Sequence, residues 1–188
     1  NAIDNMIQTN QKDKATKYLT RFAQLIRLVL DNSKTNLVSF YKDYETLKLF
    51  LLLEQFRSNN KFEYELSADD EIFNGEYKVP PMLIQPFVEN AIHHGLMNKA
   101  AGERKLKITI AVKDDYIKYT IEDNGIGIKK STQINKINKP GHTSYGIEIA
   151  KQRLTLHNKN SFHSNILITD LTEEGKPGTT LELWLVVK

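Results

Sequence analysis

The sequence predicts an α+β fold: an antiparallel helical hairpin followed by a two-layer α/β sandwich, with helices covering one face of a mixed, mainly antiparallel sheet. Three observations predict it. Apolar residues recur at helical spacing through the first third of the chain. After Asn60 the period changes to the two-residue alternation of strands. From there, strand-like and helix-like segments interleave, and no internal repeat is visible. A chain of 188 residues suits one domain with an appendage, divided at 1–60 (helical) and 61–188 (sandwich).

In the first helix, "ATKYLTRFAQLIRLVL" spaces Leu19, Phe22, Leu25, Ile26, Leu28 and Val29 near a 3.6-residue period. "DNSKTN" interrupts it with turn-forming residues. Ser39 is a good N-cap for a second helix, "YKDYETLKLFLLLEQFR", which carries Tyr44, Leu47, Leu51 and Phe56 on one side. Its apolar stretch "LKLFLLLEQF" predicts burial on more than one side. "KFEYELS" alternates as a strand, and Pro80 and Pro81 precede a helical run ending in "VENAIHHGL". "KLKITIAV" and "YIKYTIED" form a hairpin across "KDD". The stretch from Gly125 to Gly146 lacks periodicity and reads as a long loop. "YGIEIAKQRLTLH" is helical, and "SNILITD" and "TTLELWLVV" close the sheet around the turn "EEGKPG".

Composition excludes several chemistries. The chain has no Cys, so disulfides, thiolate metal sites and cysteine nucleophiles are ruled out. A net charge of +3 is too small to indicate nucleic acid, and none is expected as a partner. No apolar run approaches the roughly 18 residues of a membrane span. The chain starts with Asn, so it reads as an excised fragment whose parent could carry a membrane part.

Four segments carry candidate chemistry. In "IEDNGIGIKK", Asn-Gly alone would make a hairpin turn. Gly125 and Gly127, followed by a basic stretch instead of a return strand, point elsewhere. Asp123 at a strand end can accept a hydrogen bond from an exocyclic amine such as that of adenine. The glycines let backbone approach a nucleotide closely. In "PFVENAIHHG", Glu89 and Asn90 either face solvent on an amphipathic helix, or Asn90 offers an amide oxygen to Mg²⁺. The basic stretch with Lys129, Lys130, Lys136 and Lys139 is a solvated loop or a lid that attracts polyphosphate. "GHTSYG" leads into a helix whose N–H groups, with Thr143 and Ser144, suit an anion. In "GKPGTT", either Thr179 or Thr180 could bond the base or Asp123.

In this order, "VENAIHHG", "DNGIGI", "GHTSYGIEIAKQRL" and "GTT" resemble the ATP-binding domain shared by sensor histidine kinases, gyrase B, Hsp90 and MutL, the GHKL superfamily with the Bergerat fold. "PPMLIQPFVENAIHHGL" and the upstream helices resemble more narrowly the LytS/YehU-like subfamily of sensor histidine kinases. The resemblance implies ATP and Mg²⁺ as cofactors. It makes Asn90 the metal ligand, with Glu89 its catalytic neighbour and His94 at the usual histidine position of that motif. It makes Asp123 the adenine reader, with Gly125 and Gly127 beside it. Gly141, Thr143, Ser144 and Gly146 fall in the phosphate-side lid, and Thr180 or Thr179 is the late threonine. It further implies γ-phosphoryl transfer to a histidine and relay to a response regulator, a homodimeric full-length protein, and a cytoplasmic domain of a membrane-anchored bacterial parent. Residues 1–60 would then be the remnant of the dimerisation and phosphoacceptor region, with its linker. "NAIDNMIQ" resembles the residues that begin with the final Asn of the acceptor motif, which puts the acceptor histidine a few residues before Asn1.

Two departures refine the expectation. Pro86 stands where hydrolysing relatives have a water-activating Glu, which favours a kinase over the alternative of a GHKL ATP hydrolase. Ile149 stands where the family often has a phosphate-contacting Asn, so that contact is either absent or supplied by Lys151 or Arg153. A non-catalytic nucleotide-binding or dimerisation module is the other alternative. His93 is expected to face solvent.

Overall fold

The computed structural model describes residues 6, 8, 10–138, 145–158 and 166–187, with backbone alone for 135–138. Two antiparallel helices come first, α1 (Lys12–Asn32) and α2 (Phe40–Arg57), separated by a two-residue strand β1 (Val38–Ser39). The Ser39 side chain caps α2 as expected, accepting from the Lys42 N–H at 3.4 Å. β1 pairs with an equally short β3 (Lys78–Val79), a small sheet that the sequence did not suggest.

The main sheet has the order β2-β4-β5-β7-β6, built from β2 (Glu63–Ala68), β4 (Lys105–Lys113), β5 (Tyr116–Asp123), β6 (Ile166–Asp170) and β7 (Thr179–Val186). Only β2 and β4 run parallel, so the sheet is mixed and mainly antiparallel. A parallel pair needs a long crossover. The chain uses it for α3 (Asp70–Asn74), β3 and α4 (Gln85–Asn90). α4 continues as a π-helical turn, Ala91–Leu96, in which the Met97 N–H reaches back five residues to the Ile92 carbonyl at 2.9 Å. β4 and β5 turn tightly through Asp114, which takes a φ of 51°.

The inward-facing row of β5 is Ile117, Tyr119 and Ile121, all buried, and it ends in Asp123. α2, α4, the π turn and α6 (Tyr145–His157) cover that face and share one continuous core with it. α2 is buried on several sides, through Phe40, Leu47, Phe50, Leu51 and Leu53, as its apolar stretch predicts. α1 is not: Leu25 is buried, whereas Leu19, Phe22, Ile26 and Leu30 stay exposed along one side. The opposite face of the sheet carries charged pairs, including Lys118 with Glu182, and Lys118 also lies over the Trp184 ring.

One expectation is corrected. Residues 128–138 are not part of a loop but a helix, α5 (Ile128–Asn138). Its first turn is capped from another strand: the Lys129 N–H donates to the Asp170 carboxylate at 3.0 Å. Asp170 also accepts from the Thr172 N–H. These bonds outweigh the upward push of partial burial and hold the Asp170 carboxyl below its ordinary range. The cap lies more than forty residues downstream, so no local pattern announces this helix.

Candidate functional site

Asp123 ends the apolar row of β5 as a carboxylate with only 7% of its surface exposed. Burial pushes its pKa up to about 6, against a bond from the Gly125 N–H at 2.8 Å that pulls it down. Asp170 adds to the rise and Lys99 opposes it. A carboxyl held this way sits beside backbone from three sides. A Cβ at Gly95 would lie 2.8 Å from Asp123 Oδ1, and one at Gly125 would lie 2.4 Å from the Gly95 carbonyl carbon. Gly178 takes a φ of +101°, and a Cβ there would fall 1.7 Å from the Asp123 carbonyl oxygen.

Gly95, together with Gly127, lines a cavity of about 200 Å³ on the inner face of the sheet. Its polar lining is Asn90, His94, Asp123, Ser131, Thr132 and Thr179, and its walls include Phe87, Ile121, Ile147 and Ile168. Asn90 and His94 are four residues apart across the junction of α4 and the π turn, and both reach it. π turns recur at functional sites because the extra residue redirects side chains. Thr179 pairs with Asp123 in the β5–β7 register and so shares its face. The volume is below the roughly 300–1,000 Å³ that encloses a drug-sized ligand. It suits a flat base whose substituents extend outward.

The structure brings together Asn90, His94, Asp123, Gly127 and Thr179 around this cavity, with Gly125 behind it. It does not bring the others there. Glu89 is off the cavity lining, and its carboxylate accepts from Gln85 Nε2 at 3.0 Å. Thr180 pairs with Glu122 and Thr169, one residue out of register with the inner face. Gly146 lies in the first turn of α6, where a Cβ would touch Pro86 at 3.5 Å. Arg153 lines a separate hollow of about 770 Å³ with Pro80, Pro81 and Met82, so it is not placed to stand in for the Asn that Ile149 replaces. Lys151 is exposed, and the Ile149 side chain is 55% exposed. Gly141, Thr143, Ser144 and Lys139 lie outside the described residues, as does the Lys136 side chain. The His93 side chain is 37% exposed, and its ring also contacts Glu54 and Arg57 of α2, partners that the sequence did not suggest.

Sequence reasoning missed three lining features. Gly95 stood inside a quoted motif, but only its approach to Asp123 gives it a role. Ser131 and Thr132 were hidden in the supposed loop. Of the apolar walls, Ile147 stood inside a quoted motif without a role, and Ile168 lies in none of the four motifs.

The residues present fit a purine nucleotide and a hard metal ion. A buried carboxyl beside glycine backbone suits an amine on a flat ring, and a side chain at Gly95 would fill that space. Among the described residues no three His, Asp or Glu side chains cluster as a metal cage. A cation held mainly by phosphate oxygens needs only a single amide oxygen such as that of Asn90.

Known proteins resemble this chain over most of its length. The sequence profile described as histidine kinase-, DNA gyrase B-, and HSP90-like ATPase matches residues 81–188, and one described as histidine kinase matches residues 1–62. The chain is 29% identical, over its whole length, to the sensor histidine kinase/phosphatase LytS of Staphylococcus aureus, of which it spans 31%. It is 28% identical, over 93% of its length, to a Bacillus subtilis protein of unassigned role, YwpD, of which it spans 62%. Its fold is similar to the histidine kinase domain of the blue-light activated histidine kinase EL346 from Erythrobacter litoralis, with a TM-score of 0.57, 15% identity, and coverage of 95% of this chain and 82% of that one. The chain thus spans less than two thirds of the length of its curated relatives. The first of the two profiles covers more than half of its residues, and the chain belongs to the histidine kinase-, DNA gyrase B-, and HSP90-like ATPase family.

Proposed function

We propose that the chain is the kinase core of a two-component sensor histidine kinase, binding Mg-ATP and passing the γ-phosphoryl group to a histidine for relay to a response regulator. The observation that carries this reading is the buried Asp123 facing a glycine-cleared cavity that Asn90 and His94 also line. In it, Asp123 accepts from the adenine amine, and a guanine carbonyl there would be repelled. Thr179 assists from the neighbouring strand, and Asn90 turns its amide oxygen to Mg²⁺. His94 borders the same space. Mg²⁺ when bound spreads the charge of the phosphates. In the transfer, the bond from the γ-phosphorus to the bridging oxygen breaks, a bond to the histidine nitrogen forms, and ADP leaves. The lid residues Gly141, Thr143, Ser144 and Gly146 belong on the phosphate side of this reading.

Residues 1–60 would be a helical dimerisation region with linker, and 61–188 the ATP-binding domain. The exposed apolar side of α1, Leu19, Phe22, Ile26 and Leu30, supports a homodimer that buries it against a second copy. Among the described residues no helix is long and apolar enough to cross a membrane. We place this core on the cytoplasmic side of a membrane-anchored parent. A hydrolase reading has less support, because Pro86 stands where the resemblance puts a water-activating Glu, and the nearby Glu89 carboxylate accepts from Gln85 off the cavity lining.

Titration with ATP, ADP and GTP, with and without Mg²⁺, tests the proposal. ATP and ADP should bind in preference to GTP, more tightly with Mg²⁺, and Asn90→Ala should remove the Mg²⁺ dependence. Absence of binding at millimolar nucleotide would leave a non-catalytic module instead.

A further inference from the structure

The last turn of α2 is a junction in which four consecutive residues hold three different neighbours. Gln55 Nε2 donates to the Phe62 carbonyl at 3.0 Å, just before β2. Phe56 lies beneath the Arg21 guanidinium of α1, 5.5 Å from its ring centroid. Glu54 and Arg57 both reach His93 in the π turn.

The contact to His93 is three-sided. Arg57 Nη2 stands 2.6 Å from Glu54 Oε2 and 2.6 Å from His93 Nε2. The same ring nitrogen lies 3.1 Å from Glu54 Oε2. One nitrogen cannot accept and donate at once. A neutral ring accepts from Arg57, and a protonated ring donates to Glu54, so in either proton state the ring is tied to α2. The Glu54 side chain is only 12% exposed. Burial pushes its carboxyl up, yet the bonds and charges of His93 and Arg57 outweigh this and hold it below its ordinary range. A carboxylate kept charged in such a place depends on its partners.

The segment gripped from behind by α2 presents Asn90 and His94 to the cavity in front. We propose that Glu54, Arg57 and His93 form a clasp that positions Asn90 and His94, so that displacement of α2 changes nucleotide binding at the metal side of the cavity. These three are positioning residues, and the inference rests on the metal role proposed for Asn90.

The test is titration of ADP into the 188-residue chain, with Mg²⁺ and in chelator. Glu54→Ala and His93→Leu should each weaken Mg-ADP binding about tenfold, the scale of one hydrogen bond to a charged group. Binding of ADP in chelator should change less than about twofold, since the clasp acts through the metal contact. The double variant should be no weaker than either single one, because both break the same unit. His93→Gln keeps a donor and an acceptor and should restore binding, which also guards against a variant that merely misfolds. Equal losses with and without Mg²⁺, additive losses, or no rescue by Gln would overturn the clasp. So would unchanged Mg-ADP binding in the clasp variants while Asn90→Ala still abolishes the Mg²⁺ dependence. If the unaltered chain shows no Mg²⁺ dependence, the metal role of Asn90 falls, and the clasp with it.

Discussion

Asp43 and Asp123 are near-twins by local measures and differ in what surrounds them. Each is 7% exposed, each is pushed up to about 6 by burial first, and each accepts one backbone N–H. For Asp43 the donor is Met82, at 2.6 Å, and Arg153 pulls its pKa down. Met82 has a φ of 56°, a left-handed conformation unusual for a residue with a side chain. Asp43 thus ties α2 to the bend that leads into α4. Its charge also reaches Tyr119, whose hydroxyl is pushed far up by burial first and then by Asp43. Asp123 instead has Gly95 and Gly125 against its carboxyl, and it lines the cavity. Burial makes a carboxylate costly in both places. Only the missing side chains turn one of them toward a ligand.

The contrast between the two carboxyls breaks most visibly at Asp123 itself. Asp123→Asn should weaken ATP binding roughly 10–100-fold, the loss of a charge-assisted hydrogen bond, as measured by calorimetric titration. Unchanged affinity would remove Asp123 from the base-reading role. Gly95→Ala should make the Asp123 site resemble the Asp43 site. A methyl group 2.8 Å from Oδ1 crowds the carboxyl, and ATP binding should fall about tenfold or more with the fold retained. Circular dichroism alongside the titration separates the two effects.

Asp43→Asn should do the reverse of an active-site change. ATP binding should hold within about twofold, while stability at neutral pH rises by about 1–2 kcal/mol in denaturant titration. The ceiling is about 3 kcal/mol for a pKa moved from 3.8 to about 6. The buried amide N–H₂ takes part of that back. The pH dependence follows the same logic. Both carboxyls have folded pKa values above their unfolded ones, so the folded protein binds those protons more tightly. Their contribution makes the wild type less stable above pH 6 and more stable as pH falls from about 6 towards 4. Each Asn variant should flatten part of that rise, and a rise undiminished in both would reassign it to other groups.

Much of this was legible from the residues alone. Alternation marked β4, β5 and β7, and Ser39 marked the start of α2. The order of short motifs pointed to Asn90, Asp123 and the late threonines as one site. The choice between Thr179 and Thr180 was not legible, because it depends on which residue of β7 pairs with Asp123. α5 was missed because Asp170 caps it from a distant strand. The neighbours of His93 and Arg153 were not legible, because Glu54 and Asp43 of α2 come from a segment that local pattern assigns to a separate hairpin.

Periodicity, turn chemistry and residue type are local properties, and they sufficed for most of the element order, the mixed α+β class and the choice of Asp123 as the candidate carboxylate. Register, long-range capping and the approach of backbone to backbone are properties of pairs far apart in the chain. The tertiary structure alone decided that Thr179 faces the cavity and Thr180 does not, that Glu89 stays outside it, and that Gly95 clears space for Asp123. A strand position turns to the other face with a shift of one residue, and only the paired neighbour determines which face that is.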